Sequence, residues 1–403
     1  MNITLDTICK TINENKNINF IGLALTVLQA NGINACAIDF EKKHIKLYGY
    51  VLLLSHPQTG RLLTKDSFCC LDSDVEVYEF DYQNKKDLGK ICKECGYAIR
   101  SAKKNNKERV IFVACTAANY KWINYLEKNI PDCKVSFVIL DDGGTSYSNR
   151  FKDNLQIALY SGSKHKFLKY IILIGLKVIY INALERQLLK KNRIIDNRLF
   201  SIKKQSGKCV FIRNKSIADC YYQLYKEYSD IIPDEVKRMF DNSIVVNTQC
   251  LKENGITDGV VDYELYKDAI RELKGLGRNI VVKTHPRELD TDKYKQFGCD
   301  LYTDASFSQE SIIASTVNKP VCLISIYSAT LLNSQGIFDI PVISLAKILL
   351  DCSNVDKVFE KQLKDYIKQY EDVVVFPKTI NEVKAVIARE IEKKGKRQSG
   401  EYA

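Results

Sequence analysis

The feature that most constrains this chain is a rhythm. Short apolar runs, bounded by turn residues, alternate with amphipathic segments of about 10–15 residues, and that alternation predicts parallel sheets covered by helices on both faces. In the first half the expected strands are NINFIGLAL (a strand, or a strand passing into a helix), YGYVLLLS, ERVIFVAC and KVSFVIL, with helices over LGKICKECGYAIRSAKK and ANYKWINYLEKN. In the second half they are SIVVNTQ, NIVVKTH, KPVCLISI and PVISL, with helices over YELYKDAIRELKG, FSQESIIASTV and EVKAVIAREIEKK. At 403 residues the chain exceeds one ordinary core. The expected class is therefore α/β, with two Rossmann-like, doubly wound domains facing across a cleft. Their expected bounds are 1–190 and 243–403, joined by a basic helical connector over 191–242.

Composition excludes several classes. With 45% hydrophobic and 27% charged residues the sequence reads as a soluble globular protein. No stretch approaches the roughly 18 uncharged apolar residues of a membrane span. The polar start MNITLDTICKTINENKN predicts no secretory leader and a cytoplasmic protein. Fourteen cysteines then read as reduced core residues. The tight pair Cys92 and Cys95 sits inside an expected helix rather than at its start, which does not suit a redox motif. A formal charge of +11 favours anionic partners. No finger, helix-turn-helix or RNA-binding signature accompanies it, so nucleic acid is not expected.

In doubly wound sheets ligands sit beyond the carboxyl ends of the strands. KVSFVIL ends in Asp141-Asp142-Gly143-Gly144. Neighbouring carboxylates repel, which raises at least one pKa and suits it to take a proton from an acceptor hydroxyl; the plain alternative is an Asp-Gly turn. NIVVKTH ends in His285-Pro286-Arg287, where the proline forces the chain out of the sheet. An imidazole beside a guanidinium suits a phosphate and a leaving group. Ser325 and Ser328 lie where KPVCLISI gives way to a helix, as an anion site or merely a helix cap. Thr248-Gln249 is a fourth polar pair, after IVVN.

These residues resemble the bacterial sialyltransferases: the lipooligosaccharide enzymes of glycosyltransferase family 52, the capsule polysialyltransferases and their marine-type relatives. DDG at 141–143, HP at 285–286 within VVKTHPRE and SIYS at 325–328 follow that group's order. VVNTQCLKENGITDGVVDYELYKDAIRELKGLGRNIVVKTHPRE looks most like family 52. The resemblance implies a glycosyltransferase-B fold and inverting transfer of sialic acid from CMP-sialic acid to a hydroxyl of a surface glycan (lipooligosaccharide or capsule). It implies no cofactor and no metal. Asp141 would be the base, with Asp142 and Gly143 on the acceptor side. His285 would stabilise or protonate the departing CMP, with Pro286 shaping its loop. Thr248, Gln249, Arg287, Ser325 and Ser328 complete the expected donor site. Some relatives place the base before the HP strand, here Asp258 or Asp262. Tyr327 is a departure, because relatives carry smaller residues between the serines.

Two rivals stand beside this reading. Asp72-Ser-Asp74 has the letters of a metal-binding DxD motif and would mark a metal-dependent transferase, or another nucleotide-sugar enzyme. The segment FLKYIILIGLKVIYI, flanked by lysines, suits a membrane interface or a dimer helix. It would hold the enzyme at the inner membrane near lipid-linked acceptors, or serve a membrane-binding protein without catalysis.

Overall fold

The computed structural model describes residues 20–24, 27–55, 67–71, 74–81, 110–116, 134–141, 179, 183, 194–205, 208–352 and 355–398. The Cys92/Cys95 pair, Asp72, Asp142, Gly143, both expected first-half helices and nearly all of FLKYIILIGLKVIYI lie outside those residues. The chain divides into two compact units, 1–201 with 214–224, and 202–213 with 225–403.

The first unit holds a six-stranded sheet, all parallel. Its strands are β1 (Phe20–Ala24), β2 (Gly49–Ser55), β3 (Val75–Asp81), β4 (Val110–Thr116), β5 (Lys134–Leu140) and β6 (Ile194–Asn197). They lie in the order β3-β2-β1-β4-β5-β6. This is the dinucleotide-fold order, in which the chain starts at the centre, winds outward, then returns to wind the other way. Helix α1 (Val27–Lys42) follows β1 and is buried from Gln29 to Phe40 save Asn31. Several residues there are small (Ala30, Gly32, Ala35, Cys36 and Ala37), and Gly32 shows why: a Cβ at that position would lie 3.4 Å from Leu140 Cβ and 3.2 Å from the Tyr221 hydroxyl. Close approach of helix to sheet requires the missing side chain. The core gathers Phe20, Ile33, Phe40, Val51, Leu53, Val138 and Leu140. Buried Asn34 is satisfied by donating to the Ser67 carbonyl at 2.7 Å and accepting from the Cys70 amide at 3.3 Å.

The second unit holds a five-stranded parallel sheet of β9 (Ile244–Asn247), β10 (Ile280–Lys283), β11 (Asp300–Tyr302), β12 (Cys322–Ser325) and β13 (Val342–Ser344). The order β11-β10-β9-β12-β13 repeats the same winding. Strands β9, β10 and β12 are buried at every position, as the central strands of a two-faced sheet must be. Around them pack α4 (Val261–Leu273), α5 (Gln309–Ser315), α6 (Ala329–Phe338), α7 (Ala346–Leu350), α8 (Lys357–Tyr370) and α9 (Ile380–Gln398), following α2 (Lys215–Lys226) and α3 (Asp234–Phe240).

Two Rossmann-like α/β units in one chain are the parts of the glycosyltransferase-B class expected from the sequence. The expected helical connector is corrected. Within 191–242, β6 closes the first sheet, and β7 (Phe200–Gln205) pairs with β8 (Lys208–Arg213) in a separate two-stranded sheet. Among the described residues of that stretch, only α2 and α3 are α-helical. RIIDN, LFSIKKQ and KCVFIR are short runs carrying β-branched and aromatic residues, a composition that favours strands over the helix suggested by net charge. Among the described residues no helix is long and apolar enough to cross a membrane.

Four of the eight described cysteines are core thiols. Cys36, Cys220, Cys250 and Cys322 are buried and outside any disulfide, and burial pushes the Cys36 and Cys220 thiols up, as it pushes Cys299 up to about 11. Such thiols are poor nucleophiles near neutrality. Of the DxD pair, Asp74 is exposed and ion-paired to Lys46 at 2.7 Å.

Candidate active site

In the order β11-β10-β9-β12-β13 the winding reverses between β9 and β12, the place where open sheets of this kind bind ligands beyond the strand ends. β9 ends in Asn247 and β12 in Ser325. The Ser325 hydroxyl donates to the Asn247 carbonyl at 3.0 Å and lies 3.4 Å from the Gln249 amide nitrogen, which donates to it. Both polar side-chain atoms of Asn247 are buried with no hydrogen-bond partner. Each such group costs on the order of 1–3 kcal/mol. Polar groups left unpaired in a core often mark functional sites, and Asn247 ends β9 at the switch point.

His285 follows β10, one strand over. The turn from His285 to Glu288 closes by a 2.9 Å amide-to-carbonyl bond. The Arg287 amide donates to His285 Nδ1 at 3.1 Å. A nitrogen that accepts a hydrogen bond has no proton, so the neutral ring carries its proton on Nε2. Nε2 lies 4.0 Å from Cys250 Sγ. The ring is half-buried, while Pro286 and Arg287 are exposed. Burial first, then the Arg287 and Lys283 cations, hold the His285 pKa below its ordinary 6.5, against the pull of Glu253. Lys283 ends β10 nearly buried, 5.6 Å from the Tyr302 ring centroid, and burial lowers its pKa too.

A pH prediction follows from His285. Because its folded pKa is lowered, the unfolded chain binds more protons below about pH 6.5, and the residue's contribution to stability fades as pH falls through the folded pKa. Between about pH 7 and pH 5 the thermal midpoint of the wild type is expected to drop further than that of His285→Gln. Parallel curves would remove the lowered pKa.

The serines divide. Ser325 is fully buried and its proton is committed to Asn247. Ser328 is the N-cap of α6 and accepts from the Thr330 amide at 3.2 Å. An anion at this end would meet the α6 amides and the Ser328 hydroxyl before Ser325. Tyr327, between them, is 41% exposed and stands edge-on to Tyr366 and Phe359, with centroids 4.7 and 6.0 Å away.

Thr248 is not free to hold a donor. It is buried, its hydroxyl donates to Glu288 Oε2 at 2.5 Å, and its oxygen accepts the His285 amide at 3.1 Å. Glu288 is the residue that the strand-end survey missed. No periodicity marks a carboxylate buried by tertiary contacts, and its only sequence signal is its place in VVKTHPRE.

The alternative acids hold their own loop together. Exposed Asp258 accepts from the Val260 and Val261 amides at 2.9 and 3.3 Å, capping the start of α4. Asp262 is buried and accepts the Thr257 hydroxyl at 2.7 Å. In the first unit, Asp141 stands at the carboxyl end of β5. It is buried, and its Oδ2 accepts the Leu199 amide at 3.2 Å.

Residues 81–347, more than half of the chain, match the model of the family described as Alpha-2,8-polysialyltransferase (POLYST). The chain belongs to that family, and it is a glycosyltransferase of the sialyltransferase type. Asp141, His285, Ser325 and Ser328 all lie within the matched span. Among solved structures the chain is similar to the Methanocaldococcus jannaschii UDP-GlcNAc 2-epimerase (11% identity, TM-score 0.42, covering 92% of this chain and 91% of that one). It is also similar to a ugt transferase from Siraitia grosvenorii (10%, 0.43, 95% and 92%) and to MurG of Acinetobacter baumannii (11%, 0.39, 94% and 91%). No curated protein matches.

Proposed function

We propose that this protein transfers sialic acid from CMP-sialic acid to a hydroxyl of a bacterial surface glycan, with inversion and without a metal ion. The observation that carries the reading is His285, held at a strand end beside the switch point as a neutral ring with its proton on Nε2. The family's description supports a sialylated acceptor and a 2,8 linkage.

In this mechanism the acceptor hydroxyl loses its proton to Asp141 as its oxygen bonds to the anomeric carbon. The bond from that carbon to the CMP phosphate oxygen breaks, and CMP departs with the electron pair. The His285 Nε2–H donates to that oxygen, so the charge is met as it develops and the imidazole need not be protonated beforehand. Arg287, Ser328 and the α6 amides hold the rest of the phosphate, and Gln249 and Pro286 shape its border. A CMP donor carries one phosphate, which leaves less for a metal to neutralise than a diphosphate does.

Purified protein is expected to release CMP from CMP-sialic acid slowly in the absence of acceptor, and equally well in EDTA. Loss of release in EDTA would remove the metal-free mechanism. No release, together with no protection from melting by CMP, would remove the donor assignment.

A further inference from the structure

The two loops that leave β9 and β10 are locked by a directed chain of hydrogen bonds. The Thr248 amide first extends the sheet, donating to the Lys283 carbonyl at 3.0 Å. The Thr248 hydroxyl then has one proton and gives it to Glu288 Oε2 at 2.5 Å. Only its lone pairs remain for the opposite side, and there the His285 amide donates at 3.1 Å. The other carboxylate oxygen, Oε1, accepts from the Tyr294 hydroxyl and lies 3.2 Å from Lys293 Nζ. Tyr294 is fully buried, and the Glu288 side chain is 1% exposed.

A buried carboxylate with this many donors is costly to assemble and costly to break. Its position gives a reason for keeping it. The hydroxyl can point its lone pairs at His285 only while Glu288 takes its proton. That pins the first residue of the turn whose third residue, Arg287, donates to the imidazole.

We propose that Glu288 and Thr248 are positioning residues that fix the His285 ring as its Nε2–H tautomer and aim it at the site. The inference deepens the transfer reading and rests on it for its catalytic part. Neither residue touches the donor; both act through the His285 backbone. Glu288→Gln keeps the shape, but its one oxygen is held by Lys293 and the Tyr294 hydroxyl, so it turns an N–H toward Thr248 and the hydroxyl proton swings to face the His285 amide, donor against donor. Thr248→Val keeps the volume and removes the relay. Thr248→Ser keeps the relay.

Two-bond nitrogen–proton NMR spectra of histidine-labelled protein read the tautomer directly. The chain has four histidines, so the His285→Gln spectrum identifies the signal. A single Nε2–H form is expected in the wild type and Thr248→Ser, and mixed tautomers in Thr248→Val and Glu288→Gln. Misplacement of this kind is expected to lower kcat for CMP-sialic acid cleavage by about 10- to 100-fold, with KM within about threefold. Thr248→Ser is expected within about threefold of wild type in both. An unchanged tautomer in Thr248→Val and Glu288→Gln, or a serine variant as impaired as the valine one, overturns the proposal. Should Thr248→Val fail to fold, Glu288→Gln carries the same test. If the wild type cleaves no CMP-sialic acid, the transfer reading falls while the tautomer spectra still decide the positioning role.

Discussion

His285→Ala is expected to lower CMP release from CMP-sialic acid by about 10²- to 10⁴-fold, the range for losing a positioned proton donor. That corresponds to roughly 3–5.5 kcal/mol of transition-state stabilisation. The size follows from where charge appears. The leaving phosphate oxygen gains charge only as the glycosidic bond breaks, so a donor aimed at it acts on kcat more than on donor binding. The fold is expected to survive the change. The His285 ring is half-buried, and the one backbone bond made to its side chain is the Arg287 amide at 3.1 Å, in a loop that reaches solvent. The main-chain amide that holds the loop to Thr248 is untouched by the substitution. The measurement is single-turnover CMP release beside a melting curve with and without CMP. A kcat within about threefold of wild type, in a variant that still melts cooperatively, would dismiss His285 from the chemistry. A large rise in KM at constant kcat would make it a binding residue only.

Much of this architecture was legible for a physical reason, and the remainder was hidden for others. Strands buried on both faces must be apolar throughout, so IVVN, IVVK and CLIS stand out against any turn. Strand ends are where such sheets place ligands, which led to Asp141, His285, Ser325 and Ser328 without a template. Helix α1 was hard to read because almost all of it from Gln29 to Phe40 is buried and its polar residues Gln29, Asn34 and Asp39 are buried too, leaving no exposed polar face to set a period. Strands β7 and β8 were masked by their lysines, since a count of charge carries no phase. Glu288 and Thr248 are 40 residues apart in sequence, and Asn247 is anomalous only because its amide lacks partners. A local pattern reports how one segment meets water. It does not report which distant segment will satisfy a buried carboxylate.

Asp141→Asn is the second change with a large expected effect, and it separates two jobs that one side chain holds. The carboxylate accepts the Leu199 amide at 3.2 Å and is 1% exposed, so it ties the carboxyl end of β5 to the turn after β6. Alanine would break that tie and leave a buried N–H unpaired, at a cost of about 1–3 kcal/mol, so lost activity in Asp141→Ala would be ambiguous. Asparagine keeps the volume and an oxygen that accepts from Leu199, but it cannot take a proton from an acceptor hydroxyl. Transfer to a glycan acceptor is therefore expected to fall by about 10²- to 10⁴-fold, with melting little changed. Cleavage of the donor at the His285 end is expected to fall less, because that step needs the leaving group stabilised and an acceptor is absent. Asp258→Asn and Asp262→Asn are the controls. Each keeps an oxygen toward its cap or its Thr257 partner, and each is expected to retain transfer within about threefold. The pattern that moves the base is equally plain: full transfer in Asp141→Asn with collapse in Asp258→Asn or Asp262→Asn would hand the proton to the loop before α4 and leave Asp141 as a structural tie.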